Sequence, residues 1–185
     1  MDELKFAVIG NPVSHSLSPD IHLFFASQFQ LERYNYKKIK SNENDFERDI
    51  NNFFKNGGVG LNVTVPFKGL AYNLCDKLDQ SAEQCKSVNT ILIESGKLIG
   101  HSTDGQGLID DFLDKEIILE DSKILILGAG GSAASIISSL LLHGKIKEIS
   151  ILNRTKSNAL RLLDLFGTNR LLMHCLLYTS PSPET

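Results

Sequence analysis

The sequence predicts an α/β protein in two parts: an N-terminal α/β part with a mainly parallel sheet, then an incomplete second parallel sheet. Short apolar runs that end in glycine or proline alternate with stretches of helical periodicity, which is typical of parallel sheets covered by helices. A glycine-rich turn at residues 128–131 stands between an apolar run and a helical stretch. The acidic stretch Asp110–Asp121 lies near the boundary, and we expect the parts to span residues 1–103 and 104–169.

The first part opens with a strand and a capped helix. Phe6–Gly10 is an apolar run followed by Asn11 and Pro12, the pattern of a buried strand that enters a loop. Ser18 predicts a helix N-cap, with Pro19 at the first helical position. The elements expected next along this part are a strand over 34–39, a helix over 44–55, a strand over 59–65, a hairpin of 88–93 with 97–100, and a helix from Thr103 to Leu113.

The second part begins with the buried strand Lys123–Leu127 and continues through a helix to a second strand, Glu148–Leu152. A further helix ends at Gly167, where the pattern calls for a third strand. The residues from about Arg170 onward break the pattern and resemble translated non-native DNA, so we expect a foreign or disordered tail over 170–185. The second sheet would then have only two strands, and a two-stranded sheet is marginal alone.

The composition is that of an ordinary globular protein, with 42% hydrophobic and 22% charged residues. The net charge of -3, with acids and bases interleaved, argues against a nucleic-acid partner, because phosphate binding needs a concentrated basic face. The charge-free stretch Ala129–His143 is too short and too rich in serine to span a bilayer. An acidic N-terminus argues against a signal peptide. With three cysteines that lack paired spacing, we expect a cytoplasmic protein with free thiols and neither a membrane partner nor a metal site.

The glycine turn predicts a phosphate-binding loop. Gly128, Gly130 and Ala133 fit the pattern G-x-G-x-x-A, with a buried strand before the turn and a helix after it. The first glycine permits the tight turn, the second lets backbone approach a pyrophosphate, and the N–H groups of the helix start favour an anion. The residues expected to hold a dinucleotide here are Gly128, Ala129, Gly130, Gly131 and Ser132. The alternative is a glycine-rich helix start that binds no ligand.

The end of the next strand indicates which dinucleotide this is. Folds that bind NAD usually carry an acid at this place, where it pairs with the ribose hydroxyls. Here the strand ends in Asn153-Arg154-Thr155-Lys156. The Arg154 guanidinium can pair with a phosphate through two hydrogen bonds, while Thr155 and Lys156 add a hydroxyl and a second cation. We therefore expect NADP rather than NAD; the alternative is a solvated helix start with two surface cations.

Polar residues also stand at unusual positions in the first part. The loop Gly10–Pro19 is rich in hydroxyl groups, and Asn62 and Thr64 lie two residues apart on one face of a strand, although Asn62 could merely satisfy a backbone group. Lys68 is expected in the first turn of a helix, where a cation opposes the helix dipole, so function rather than stability explains it. Asp104 starts another predicted helix, either as its cap or as a functional carboxylate.

Six short motifs follow one another along the chain. They lie at residues 10–19, 62–68, 88–90, 103–105, 128–131 and 153–155, and read Gly-Asn-Pro-x-x-His-Ser-x-Ser-Pro, Asn-Val-Thr-Val-Pro-Phe-Lys, Val-Asn-Thr, Thr-Asp-Gly, Gly-Ala-Gly-Gly and Asn-Arg-Thr. In this order they resemble the shikimate dehydrogenase family, over about Lys5–Gly167. The resemblance implies a substrate domain followed by a Rossmann-type NADP domain. It also implies reversible NADPH-dependent reduction of 3-dehydroshikimate to shikimate, in chorismate and aromatic amino-acid biosynthesis, by a monomer or homodimer.

The resemblance also implies roles for individual residues. Ser16 and Ser18 would hydrogen-bond the substrate carboxylate. Lys68 and Asp104 would form the acid–base pair, because loss of hydride from a secondary alcohol requires removal of its O–H proton. The residues that would surround the ring hydroxyls are Asn62, Thr64, Lys68, Asn89 and Asp104.

In that family the cofactor domain continues beyond the length of this chain, so the resemblance implies an inactive fragment of an enzyme. Two other functions stay open: a quinate/shikimate dehydrogenase that uses NAD, and a non-catalytic protein that binds nucleotide or shikimate-like acids. Arg154 argues against the first. Lys68 and Asp104 argue against the second, since binding alone needs no acid–base pair.

Overall fold

A computed structural model describes residues 3–175 of the chain. It divides into two compact units, unit 1 over Met1–Asp104 and unit 2 over Gly105–Thr185. Each unit has its own sheet, so the predicted division into two α/β parts is confirmed at the level of fold. The helix that begins at Asp104 starts with the last residue of unit 1 and otherwise lies in unit 2.

Unit 1 is built on a sheet in which six strands are described, in the order β2-β1-β3-β5-β6-β4. Its elements are β1 (Leu4–Gly10), α1 (Ser18–Gln28), β2 (Tyr34–Lys40), α2 (Phe46–Lys55), β3 (Gly58–Val63), α3 (Lys68–Leu74), β4 (Lys77–Leu78), α4 (Gln80–Cys85), β5 (Thr90–Glu94) and β6 (Lys97–His101). The first three strands in space are parallel, and β5 joins β3 antiparallel. The predicted hairpin of β5 and β6 is present, and positive φ angles at Ser95 and Gly96 give its two-residue turn the favoured twist.

The main core of unit 1 lies between the sheet and α2. Residues that alternate along β1 and β3, such as Ile9 and Leu61, are at most 1% exposed and pack with Ile50 of α2. The opposite face of the sheet carries a smaller cluster, Val8, Val13 and Tyr36. That second face is more polar, and the predicted site residue Asn62 stands on it, opposite Val8.

Unit 2 contains a parallel sheet in which three strands are described, in the order β7-β8-β9. Along the chain, a helix connects each strand to the next. Its elements are α5 (Asp104–Asp114), β7 (Lys123–Leu127), α6 (Gly131–His143), β8 (Glu148–Asn153), α7 (Lys156–Phe166) and β9 (Leu171–Cys175). Ile137, Leu140, Ile149, Ile151 and Leu162 are its largest buried side chains.

The expectation of a two-stranded second sheet is wrong. Residues Leu171–Cys175 form β9, which pairs parallel with β8 from Ile149↔Leu171 onward. The run is short and lacks β-branched residues, so its local pattern is weak, and pairing with β8 decides its conformation. Residues 176–185, the rest of the expected foreign tail, lie outside the described residues.

The described residues contain neither a membrane-spanning helix nor a metal-binding cluster. No helix there is long and apolar enough to cross a membrane. Among the side chains described, which end at Met173, no group of three or more histidine, cysteine or acidic residues is placed to hold a metal ion. Cys75 and Cys85 are free thiols.

Candidate active site

Lys68 and Asp104 form an ion pair in unit 1. The Lys68 ammonium Nζ lies 2.5 Å from Asp104 Oδ2, and the two side chains are 13% and 25% exposed. Lys68 is the first residue of α3, and its neighbour Phe67 is 1% exposed and packs on Phe46, which anchors the start of the helix. The Lys68 carbonyl also accepts a hydrogen bond from the Val88 N–H. The pair is therefore sheltered from water and held by packed backbone, as a proton-transferring pair requires.

Asn89 contacts the same carboxylate. Its Nδ2 donates to Asp104 Oδ1 at 2.5 Å, and its Oδ1 accepts from the Thr103 backbone N–H at 3.1 Å. Because a backbone N–H can only donate, the amide is oriented with its oxygen toward Thr103 and its NH2 toward Asp104. Asp104 thus receives Lys68 on one oxygen and Asn89 on the other, so both of its carboxylate oxygens are engaged by side chains from elsewhere in unit 1.

Asn62 and Thr64 stand at the carboxyl end of β3, as the sequence predicts. Asn62 Oδ1 accepts from the Tyr36 hydroxyl at 2.7 Å, and its Nδ2 donates to Thr90 Oγ1 at 3.2 Å. Thr64 packs against Gly10, where a Cβ atom would meet Thr64 Cγ2 at 2.3 Å. Gly10 is therefore needed to let the ends of β1 and β3 approach.

Ser16 and Ser18 form a hydroxyl pair ahead of α1. Ser16 Oγ donates to Ser18 Oγ at 3.1 Å and accepts from the Ser18 N–H at 3.3 Å. The predicted capping role of Ser18 is wrong: Ser18 is the first helical residue, Leu17 is the N-cap, and the cap makes no side-chain hydrogen bond. The Ser18 hydroxyl instead accepts a hydrogen bond from Ser16 and lies near the phenol of Tyr36.

Tyr36 and Thr90 belong to this polar group, and the sequence did not single them out. Tyr36 is 7% exposed in the middle of β2, so its pattern is that of a core aromatic residue. Its phenol is stacked on the His22 ring with centroids 4.4 Å apart. Burial raises the pKa of Tyr36 to about 12, so the phenol is a hydrogen-bond donor at neutral pH. The sequence gives only a weak indication that Thr90 belongs to the site: it directly follows Asn89 in the motif Val-Asn-Thr.

In unit 2 the glycine turn has the form that the motif predicts. Gly128 has φ +118° and its N–H donates to the Leu152 carbonyl at 2.9 Å, which joins the ends of β7 and β8. A Cβ atom at Gly128 or Gly130 would meet nothing within 4 Å among the described residues, so the backbone is open to an approaching ligand. Gly130 is the N-cap of α6, no acid stands in the first turn, and the cap makes no side-chain hydrogen bond. This helix start suits an anion.

The loop after β8 lies at the same edge of that sheet. Asn153 ends the strand and its Nδ2 donates to the Thr155 carbonyl at 2.7 Å, which shapes the turn. Arg154, Thr155 and Lys156 are exposed. In the part of the chain that is described, the Arg154 guanidinium makes no hydrogen bond or ion pair. Two cations and an open glycine turn at one sheet edge fit a dinucleotide that carries an extra phosphate.

Comparison with known proteins places this chain in a family. The family model described as "Shikimate dehydrogenase substrate binding domain" matches residues 8–91, and that described as "Shikimate / quinate 5-dehydrogenase" matches residues 113–177. The chain belongs to the shikimate dehydrogenase family. The second match continues past Arg170, as β9 does, and the expected non-native origin of the tail stays a prediction.

Curated shikimate dehydrogenases (NADP(+)) are similar over most of the chain. The protein of Acinetobacter baylyi is 45% identical over 165 residues, which are 89% of this chain and 62% of the relative. The protein of Hahella chejuensis is 43% identical over 165 residues, 89% of this chain and 60% of the relative. The chain thus spans about three fifths of the length of the curated shikimate dehydrogenases that it matches.

Solved shikimate dehydrogenases have the same fold over this length. The Thermus thermophilus shikimate 5-dehydrogenase in complex with NADP(H) and shikimate superposes with a TM-score of 0.81 at 31% identity, covering 92% of this chain and 62% of that one. The Listeria monocytogenes enzyme in complex with shikimate and NAD gives a TM-score of 0.84 at 29% identity, with 94% and 61% covered.

Proposed function

We propose that this chain carries the substrate site of an NADP-dependent shikimate dehydrogenase, which reversibly reduces 3-dehydroshikimate to shikimate. The observation that carries the proposal is the sheltered Lys68–Asp104 pair, with Asn89 on the second carboxylate oxygen. Such a reaction belongs to chorismate and aromatic amino-acid biosynthesis. The free thiols of Cys75 and Cys85 fit a reducing compartment, and we place the enzyme in the cytoplasm.

The proposed mechanism assigns the proton to this pair. In the direction of oxidation, the hydroxyl that reacts lies against Lys68 and Asp104, and the pair takes up its O–H proton as the C–H hydrogen leaves as hydride. The two groups lie within hydrogen-bond distance, so a proton can pass between them. NADP+, when bound, supplies the hydride acceptor. Asn89 holds Asp104 in place through its amide and offers a polar edge to a neighbouring hydroxyl.

The remaining polar residues fit the other groups of the substrate. Ser16 and Ser18 present two hydroxyls at the start of α1, where N–H groups also favour an anion, and we assign them the carboxylate. Asn62 and Thr64 lie at the carboxyl end of β3, and we assign them ring hydroxyls. Ligands of open α/β sheets bind outside the carboxyl ends of the strands, which supports this placement.

We assign the cofactor to unit 2 and favour NADP. The glycine turn, Gly128–Ser132, would hold the pyrophosphate, and the loop Asn153–Lys156 would hold the 2′-phosphate. Arg154 supports this choice because its exposed guanidinium has no partner among the described residues. NAD remains the second candidate, since NAD is the nucleotide in the Listeria monocytogenes complex.

The test is an assay of a completed enzyme beside the chain itself. Residues 1–169 would be joined to the remaining length of the Acinetobacter baylyi relative, and shikimate oxidation followed with NADP+ and with NAD+. We expect turnover with NADP+ from the chimaera and none from the 185-residue chain. Lys68→Met and Asp104→Asn should abolish turnover but leave measurable shikimate binding. A folded chimaera that binds shikimate and oxidises none of it would instead support a non-catalytic binding protein.

A further inference from the structure

A continuous line of hydrogen bonds runs through unit 1 from the carboxylate end of the candidate site to its acid–base pair. The Tyr36 hydroxyl donates to Asn62 Oδ1 at 2.7 Å, and Asn62 Nδ2 donates to Thr90 Oγ1 at 3.2 Å. Thr90 Oγ1 donates to Asn89 Oδ1 at 3.1 Å, and Asn89 Nδ2 donates to Asp104 at 2.5 Å. We call Tyr36, Asn62, Thr90 and Asn89 the hydroxyl–amide line. Two of its members, Tyr36 and Thr90, have no role in the mechanism above.

Thr90 links the two asparagines. Its hydroxyl accepts from the Asn62 amide nitrogen and donates to the Asn89 amide oxygen. A hydroxyl is suited to this place because it both donates and accepts. Because the Thr90 hydroxyl accepts from Asn62 and donates to Asn89, the NH2 of Asn62 faces Thr90 and the NH2 of Asn89 faces Asp104. All donors in the line therefore point the same way, toward the carboxylate.

Tyr36 sets the other end of the line. Its phenol donates to Asn62 Oδ1 and lies near the Ser18 hydroxyl, so it stands between the serine pair and the line. The ring is fixed by stacking on His22 at 4.4 Å and by burial, since the residue is only 7% exposed. Burial keeps the phenol protonated and hence a donor. Tyr36 is thus a rigid support between the start of α1 and the end of β3.

We propose that Tyr36 and Thr90 are positioning residues for the dehydrogenase site: together with the Thr103 N–H, which also donates to Asn89, they fix which face of the Asn62 and Asn89 amides is presented to the substrate hydroxyls. This inference rests on the proposed function. An amide can present either its oxygen or its NH2, and only a fixed orientation distinguishes a donor from an acceptor on the ligand. A site built to match each substrate hydroxyl rejects analogues that lack one, because its own polar groups then stay unpaired.

The first experiment needs no ligand. The side-chain NH2 resonances of Asn62 and Asn89 are observed by 15N NMR in the full 185-residue chain, wild type against Thr90→Val, Thr90→Ser, Tyr36→Phe and Tyr34→Phe. We expect Thr90→Val to shift both amides and hasten their exchange with water, and Thr90→Ser to restore them. Tyr36→Phe should move mainly Asn62. Tyr34→Phe is the matched control, because Tyr34 lies on the same strand but contacts His22 rather than the line.

Backbone amide spectra taken at the same time show whether each variant is folded. Folded variants in which the Asn62 and Asn89 side-chain resonances match wild type overturn the proposal, whether or not the chain binds shikimate. If Thr90→Val does not fold, Thr90→Ser is the variant that decides. A folded Thr90→Ser protein whose Asn62 and Asn89 side-chain resonances are displaced from wild type also overturns the proposal.

Shikimate affinity, measured by calorimetry on the same proteins, separates this inference from the proposed function. Thr90→Val removes two hydrogen bonds of the line and Tyr36→Phe removes the bond to Asn62, so each should weaken binding about tenfold. Thr90→Ser and Tyr34→Phe should bind like wild type. If wild type and the four variants all bind shikimate with equal affinity, the positioning role of Tyr36 and Thr90 is contradicted, whereas shikimate remains the proposed substrate. Absence of binding by folded wild type contradicts the proposed substrate, and the ligand-free spectra still decide the orientation of the amides.

Discussion

Gly10→Ala is the substitution whose effect follows most directly from the geometry. A Cβ atom at this position would lie 2.3 Å from Thr64 Cγ2 and 3.2 Å from the Val65 carbonyl oxygen. The first contact is far inside van der Waals range, so Thr64 must turn or β1 and β3 must separate. Small-to-large changes of this kind in packed sites cost about 1–3 kcal/mol. Because Thr64 is a proposed ligand of a substrate hydroxyl, shikimate affinity should fall with stability.

Gly69→Ala is the matched control in the same unit. A Cβ atom there would meet nothing within 4 Å among the described residues, and Gly69 lies in α3, where alanine is favoured by up to about 1 kcal/mol. Urea unfolding would be followed through NMR amide signals of β1 and β3, which report unit 1 alone. We expect Gly10→Ala to unfold at clearly lower urea than wild type and Gly69→Ala at equal or higher urea. Equal midpoints for Gly10→Ala and wild type would refute the close approach of Gly10 and Thr64.

Three further predictions concern the cofactor, the pH and the second sheet. Arg154→Asp in the completed enzyme should lower the NADP+ preference by weakening NADP+ and sparing NAD+, measured as the ratio of kcat/KM values; an unchanged ratio would remove Arg154 from the 2′-phosphate site. Burial lowers the pKa of His22 below 6.5, so the unfolded chain binds the extra proton first, and unit 1 should lose stability as pH falls through 6.5. His22→Gln should flatten that dependence in urea unfolding at pH 7 and pH 5, and a slope identical to wild type contradicts the assignment. Hydrogen exchange should be slower in β8, which pairs on both sides, than in β7, which is an edge strand in the described sheet; equal protection would contradict this topology.

Much of the site could be predicted because its residues stand in short local motifs. Lys68 and Asp104 lie beyond the ends of β3 and β6, and Asn89 directly precedes β5, so the fold brings the three residues to one edge of the sheet. Because β5 is antiparallel to both neighbours, its start meets the carboxyl ends of β3 and β6, which is a consequence of strand order rather than of any contact visible along the chain. The glycine turn was equally readable, because its φ requirement is local.

The errors have a common physical cause, which is that tertiary contacts decided between local options. Ser18 has the composition of an N-cap, but its hydroxyl finds Ser16 and Tyr36 instead, and the helix begins at Ser18 itself. The strand Leu171–Cys175 has a weak local pattern and exists through its pairing with β8. Tyr36 was missed because a buried aromatic residue in a strand has the pattern of core packing, and only its hydroxyl contacts distinguish it.

The central claim is that the polar residues at the carboxyl edge of the unit 1 sheet bind shikimate. It is tested most directly by titrating the isotope-labelled chain with shikimate and mapping the NMR shifts. We predict saturable shifts at Ser16, Asn62, Asn89 and the start of α3, with Ser16→Ala weakening the binding. Saturable shifts located elsewhere, or a folded chain whose spectrum shikimate leaves unchanged, would contradict the claim.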